Sequence, residues 1–169
     1  MIDSILATIA DEFHDFAEAE EFARAAFRLT VAVLLAAVVG YERERSGSTA
    51  GLRTHMLVAL GTCLLVVSAS QSGVERADLT RVLQGIFAGI GFLGAGAILK
   101  HTDTAQIRGL TTAASIWVTA AIATAVGLGQ GATAVFATAI VYIILSVLRR
   151  LEARMETPED EKQGPVNGP

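Results

Sequence analysis

A chain of 169 residues that is 52% hydrophobic and only 18% charged, with a mean hydropathy of +0.51, is long enough for one domain and too apolar for a typical soluble one. Its formal charge of -4 comes largely from acids near the two termini, which excludes the basic footprint of a nucleic-acid-binding protein. Cys63 is the single cysteine; it excludes an intrachain disulfide and reads as a small hydrophobe within an apolar window.

Residues 1–23 set Ile2, Ile5, Leu6, Ile9, Phe13 and Phe16 against Asp11, Glu12, Asp15, Glu18, Glu20 and Glu21, an amphipathic helical pattern with an acidic face. Without a basic leading region the segment does not read as a signal peptide. It is predicted to lie at the membrane interface or to dock against a partner. Five windows nearly free of strongly polar residues follow, at about 25–40, 54–70, 82–99, 110–128 and 132–148. Each holds ~16 to 19 residues, close to the ~20 that cross a bilayer as a helix, and none alternates apolar and charged faces as a soluble bundle would. Arg24 and Arg28 can extend the first span while snorkelling toward the headgroups. The connections, 42–53, 71–81, 100–109 and 129–131, leave no room for a soluble domain between spans. Past Leu148 come Arg149, Arg150 and Arg154 and then a tail with Pro158, Pro165 and Pro169; residues 151–169 are predicted to be polar and disordered. The predicted fold is therefore all-α, with a polytopic membrane domain at residues 24–150 whose five transmembrane helices pack through a glycine-rich central helix.

That helix is the third window, where Gly85, Gly89, Gly91, Gly94 and Gly96 interrupt an apolar run. At ~100° per residue Gly85, Gly89 and Gly96 align, with Arg81, Gln84, Ala88, Gly91 and Ala95 in the adjoining sector, so roughly 160° of the circumference is small or polar. In water this glycine would cost about 1 kcal/mol per residue relative to alanine; in a bilayer it lets backbones approach and gain dispersion. The five glycines are predicted helix-packing positions in a protein that forms homo-oligomers. Val82, Leu83, Ile86, Phe87, Ile90, Leu93 and Ile98 are predicted to face lipid. Arg81 and Gln84, continuing onto the small face, are the intramembrane polar candidates, with outward snorkelling of Arg81 as the alternative.

An odd number of spans puts the termini on opposite sides. Arg43, Arg45, Arg53, Lys100, Arg108, Arg149, Arg150, Arg154 and Lys162 fall on one face and Arg24, Arg28, Arg76 and Arg81 on the other; nine against four predicts a cytoplasmic C-terminus and a periplasmic N-terminus. On the cytoplasmic side Glu42-Arg43-Glu44-Arg45, Arg53-Thr54-His55 and residues 100–108 are predicted to converge in a polar rim. Glu42 would pair there with Arg53 or Arg108, and Asp103 with Lys100. The candidate functional residues of this rim are Glu42, Arg53, Thr54, Thr111 and Thr112, against the plainer reading of juxtamembrane charge that anchors helix ends. Thr111, Ser115 and Thr119, and again Thr138, Tyr142 and Ser146, form hydroxyl stripes that read as interhelical glue more than as a polar path.

No catalytic role is predicted: His14, His55 and His101 lie in three separate segments, no GxSxG or HExxH occurs, and no pair of carboxylates sits inside a span. No cofactor motif is present either. Ion pumping usually needs membrane-embedded acids, which are confined here to helix ends or beyond.

Gly40-Tyr41-Glu42-Arg43-Glu44, Ala50-Gly51-Leu52-Arg53-Thr54-His55, Gly89-Ile90-Gly91-Phe92-Leu93-Gly94-Ala95-Gly96, and Arg108-Gly109-Leu110-Thr111-Thr112-Ala113-Ala114-Ser115 with Trp117 together resemble the MgtC/SapB family of bacterial inner-membrane proteins, over about residues 25–150. The resemblance implies a five-span membrane domain with a periplasmic N-terminus, in agreement with the charge count. Members of the MgtC branch are associated with growth in low magnesium and with survival inside macrophages, and with restraint of the F-type ATP synthase. The longer MgtC proteins carry a soluble ACT-like domain after the fifth span; this chain resembles the short, SapB-like form. The expected function is a regulatory or interaction protein of the inner membrane that modulates a membrane complex such as the F-type ATP synthase. The alternative is a transporter or channel for Mg²⁺ or a small solute.

Overall fold

The computed structural model describes residues 1, 2, 4–6, 8, 19–73, 76–100 and 107–149. Most of the acidic segment predicted at 1–23, the loop at 101–106 with His101 and Asp103, and the tail from Arg150 onward lie outside the described residues.

Five helices long and apolar enough to cross a membrane make up the described chain: α1 Ala19–Arg45, α2 Leu52–Gln71, α3 Arg76–Ala97, α4 Leu110–Gly127 and α5 Gly131–Ile143, the last continued by a π-helical turn at Ile144–Leu148. Between α3 and α4 a two-residue antiparallel pairing, β1 Leu99–Lys100 with β2 Ile107–Arg108, sets Leu99 opposite Arg108. The first span exceeds its apolar window at both ends. Glu20 and Glu21 in its first turn and Arg43 and Arg45 in its last complement the helix dipole and carry the helix into the interfaces. Glycine stops two of the spans. At Gly47 (φ 74) and Gly129 (φ 82) the hydrogen bonds Ser48 N–Arg43 O and Gly47 N–Glu44 O, and Gln130 N–Ala125 O and Gly129 N–Val126 O, close a Schellman motif that needs a left-handed residue.

The predicted centre of the bundle is displaced. The helix that touches every other one is α4, whereas among the described residues α3 packs chiefly against α4 and α2. One core cluster joins Ala32 and Ala36 of α1, Ala59 and Cys63 of α2, Ile122 and Ala123 of α4 and Ala134 of α5. A second joins Val66 of α2, Ile86 and Ile90 of α3, and Ile116 and Ala120 of α4. Alanine and cysteine at the crossings let backbones come close, and the resulting dispersion holds helices together where lipid removes the hydrophobic drive. Cys63 is buried as a small core residue.

Within the chain, α3 divides differently from the prediction: Leu93 and Ile98 are exposed as expected of lipid-facing residues, but the middle of that face turns inward. Ile86 and Ile90, predicted to face lipid, are buried, and Val82 and Leu83 pack beside them. Of the five predicted packing glycines only Gly94 meets a neighbour: a Cβ there would lie 3.6 Å from the Ala113 Cβ, whereas Gly85, Gly89, Gly91 and Gly96 have nothing within 4 Å. The physical reason is the partner. On α4, Ile116 and Ala120 receive Ile86 and Ile90, and Trp117 meets Phe87 with ring centroids 5.3 Å apart, so the apolar side chains of α3 make the contact and most of its glycines are left outward. The close crossings are elsewhere. A Cβ on Gly40 of α1 would sit 2.8 Å from the Leu52 Cα, and one on Gly127 of α4 would sit 2.8 Å from the Val66 side chain.

Candidate functional site

The polar groups of the bundle interior gather at one end, where α1 finishes, α2 and α4 begin and the π turn closes the last span. Glu42 and Arg43 occupy the final turn of α1 and are 4% and 6% exposed. Arg43 wraps back on its neighbour: its Nε donates to Glu42 Oε2 at 2.6 Å and one Nη lies 2.5 Å from the same oxygen. Glu42 Oε1 is buried and has no hydrogen-bond partner among the described residues; Arg149 Nε stands 3.7 Å from it. A lone carboxylate in this position would cost several kcal/mol, and two guanidiniums offset that.

Glu44, two residues on, points the other way and accepts a hydrogen bond from Leu52 N at 2.8 Å, satisfying a donor that the first turn of α2 cannot satisfy itself. The Schellman turn at Gly47 delivers the Ser48 hydroxyl to within 2.8 Å of Thr112 Oγ1 on α4. Beneath this contact lies His55 of α2, fully buried. Its Nδ1 donates to the Gly51 carbonyl at 2.8 Å, and Nε2 is 3.1 Å from Ser115 Oγ. Ser115 Oγ is also 2.8 Å from the Thr112 carbonyl, so one hydroxyl proton is shared between two acceptors when the imidazole is neutral. The α1–α2 turn, α2 and α4 are thereby tied through side chains from three segments.

The predicted rim is partly assembled. Glu42 and Thr112 are in the cluster and Thr111 borders it, lining with Arg43, Ser48 and Arg149 a cavity of about 400 Å³. Arg53 and Thr54 are exposed and stand apart; Thr54 lines a separate cleft of about 360 Å³ beside Phe92 and Gly96. The predicted pairing of Glu42 with Arg53 or Arg108 does not form. On α2 the inward position is His55, and Arg53, ~200° away around the helix, points outward. Arg81 is exposed and lies 3.9 Å from Asp78 on its own helix, and Gln84 is exposed as well. Neither joins the interior.

Sequence reasoning passed over Arg43, Ser48, His55, Ser115 and Arg149 as partners. A usable signal was present in α2: His55, Ala59, Cys63, Val66 and Val67 recur at helical spacing and form its buried stripe. The hydroxyl stripes bond locally, with Thr119 Oγ1 donating to the Ser115 carbonyl and Thr138 Oγ1 to the Ala134 carbonyl. At the opposite end Arg28 donates to the Gly127 carbonyl at 2.9 Å, capping α4 as well as snorkelling.

These features define a small multi-pass α-helical membrane protein whose charges are buried at one pole. Residues 29–154 match the MgtC family, and the chain belongs to that family. It is 40% identical over 137 residues to Protein SrpB of Synechococcus elongatus, covering 75% of each chain. It is 34% identical over 135 residues to the putative magnesium transporter YhiD of Escherichia coli, covering 76% of this chain and 62% of that one. To Protein MgtC of Salmonella typhimurium it is 39% identical over 127 residues, 75% of this chain and 53% of that protein. The match thus spans little more than half of the MgtC protein. No solved structure matches.

Proposed function

We propose that this protein is a non-enzymatic regulator in the bacterial inner membrane, which modulates another membrane complex through its charged pole and its open helix faces. The observation that carries this reading is the state of Glu42. It is the only buried acid among the described residues, and it faces the guanidiniums of Arg43 and Arg149, whose positive charge repels a dication. Magnesium sites use oxygen ligands, carboxylates above all, without adjacent cations. Thr119 of α4 and Thr138 of α5 bond their own helices, the pattern of structural hydroxyls.

The proposed orientation has the N-terminus in the periplasm and the charged pole in the cytoplasm, from the nine-to-four distribution of Lys and Arg. Adaptation to low magnesium is proposed as the physiological setting and the F-type ATP synthase as a candidate partner, as the resemblance to the MgtC branch implies. Self-association is proposed through α3, whose Gly85 and Gly89 face outward along an apolar groove of about 620 Å³ shared with Gly61 of α2.

The name of YhiD favours a second reading, magnesium transport. Proteoliposomes loaded with a magnesium indicator separate the two. The expected result is no uptake above protein-free vesicles, with a membrane complex captured by crosslinking in native membranes. Uptake that is lost in Glu42→Gln or Gln84→Leu overturns the regulator.

A further inference from the structure

The cavity at the charged pole has a composition that the regulator reading leaves unused. Its volume is about 400 Å³, far more than a water or a halide needs. Two arginines line it from different helices, Arg43 at the end of α1 and Arg149 after the π turn. Among the described residues they meet a single carboxylate between them, Glu42, which leaves one cation in excess. The carboxylate also fixes the first guanidinium: with Nε and one Nη engaged on Glu42, Arg43 is held in one orientation at 6% exposure while still bordering the cavity. Hydroxyls complete the wall. Thr111 and Thr112 stand in the first turn of α4, which presents backbone N–H groups and the positive end of its dipole, and Ser48 is held against Thr112 at 2.8 Å. On the remaining side Leu148 and its neighbours in the π turn are apolar.

We infer that this cavity binds a phosphoryl group, with Arg43 and Arg149 as its charged donors and Thr111, Thr112 and Ser48 as its neutral ones. Planar guanidiniums and hydroxyls arranged around surplus positive charge match a tetrahedral oxyanion better than a spherical one, because each oxygen can accept from a separate donor. A dication is excluded by the same charges. The apolar wall accommodates the glycerol and upper acyl portion of an anionic phospholipid, and inorganic phosphate offers the same chemistry without that part. The inference does not depend on which complex the protein regulates.

The full chain, purified in a maltoside detergent, tests it in two arms. One titrates inorganic phosphate by calorimetry. The other measures by native mass spectrometry which lipid stays bound after release from bilayers of equal phosphatidylglycerol and phosphatidylcholine. Saturable phosphate binding identifies a soluble ligand; selective retention of phosphatidylglycerol without phosphate binding identifies a lipid headgroup. Removing Arg43 threatens the fold because it strands Glu42, so the variants are Arg149→Gln, whose side chain is 43% exposed, and Thr111→Val, which keeps the β-branched shape. Each is expected to weaken whichever ligand binds by about tenfold, as loss of a charge-assisted or neutral donor does, with an unchanged monodisperse profile. Binding of neither ligand, or parental affinity in both variants, overturns the inference.

Discussion

The pole formed by α1, α2 and α4 and the glycine-rich helix α3 make opposite use of the same small residues. At the pole a single glycine, Gly40, brings α1 onto α2 so closely that a Cβ would collide with the Leu52 backbone. In α3 four glycines meet nothing within 4 Å among the described residues, and the helix is held by Ile86 and Ile90 instead. Glycine density therefore does not locate the tightest crossing. What locates it is a glycine next to residues that must be buried together, as Gly40 is to Glu42 and Arg43.

The sharpest test of that contrast is electrostatic. Arg43→Gln leaves a buried carboxylate without its main partner and is expected to destabilise the protein by about 3–5 kcal/mol, whereas Arg81→Gln, at 83% exposure, should change stability by less than about 1 kcal/mol. Unfolding in increasing SDS, followed by fluorescence of the single tryptophan, Trp117, reads both; equal effects would erase the distinction between pole and periphery.

Within α3 the two faces can be set against each other. Ile90→Ala should cost about 2–5 kcal/mol through the cavity it opens, while Gly89→Leu should leave the monomer's unfolding curve in place and reduce crosslinked oligomer. Destabilisation of the monomer by Gly89→Leu would mean that the glycine face packs within the chain after all.

Steric closeness at the pole predicts a smaller loss. Gly40→Ala, which in a less crowded helix would be neutral or favourable, is expected to cost about 1–3 kcal/mol by overpacking. Gly91→Ala, facing open space, should stabilise α3 slightly through helix propensity.

The smallest effect concerns Arg149. Glu42→Gln and Arg149→Gln are each expected to destabilise, and the double variant should fall short of their sum by about 0.5 kcal/mol or more, the mark of residues that interact. Glu42→Gln with Arg53→Gln should be additive, since Arg53 points away. A reversal of those two cycles, measured by the same SDS titration, would restore the pairing that sequence alone suggested.

That suggestion shows what was legible and what was not. Five spans could be read from window length and the scarcity of charge, because a bilayer constrains each helix separately. The identity of the polar end was legible too, since Glu42 and Thr112 sit at predicted span ends on the same side. Pairing was not, because it depends on rotation of each helix about its own axis, and two residues, ~200° around α2, separate an inward His55 from an outward Arg53. The orientation of α3 was misread for a related reason. The wheel divides a helix into small and large faces but carries no information about α4, whose Ile116, Trp117 and Ala120 receive the large one.

The π turn at Ile144–Leu148 sets the bearing on which the last span leaves the membrane. A π turn holds one residue more than an α turn, and each residue advances an α-helix by ~100°, so the wide turn resets the azimuth of everything after it and is what brings Arg149 round to Glu42. Deleting one residue from this turn would swing the exit by about a quarter of a revolution. A torque applied to the chain beyond Arg149 is therefore passed to the end of the first helix, and the last span is geared to the first through one carboxylate.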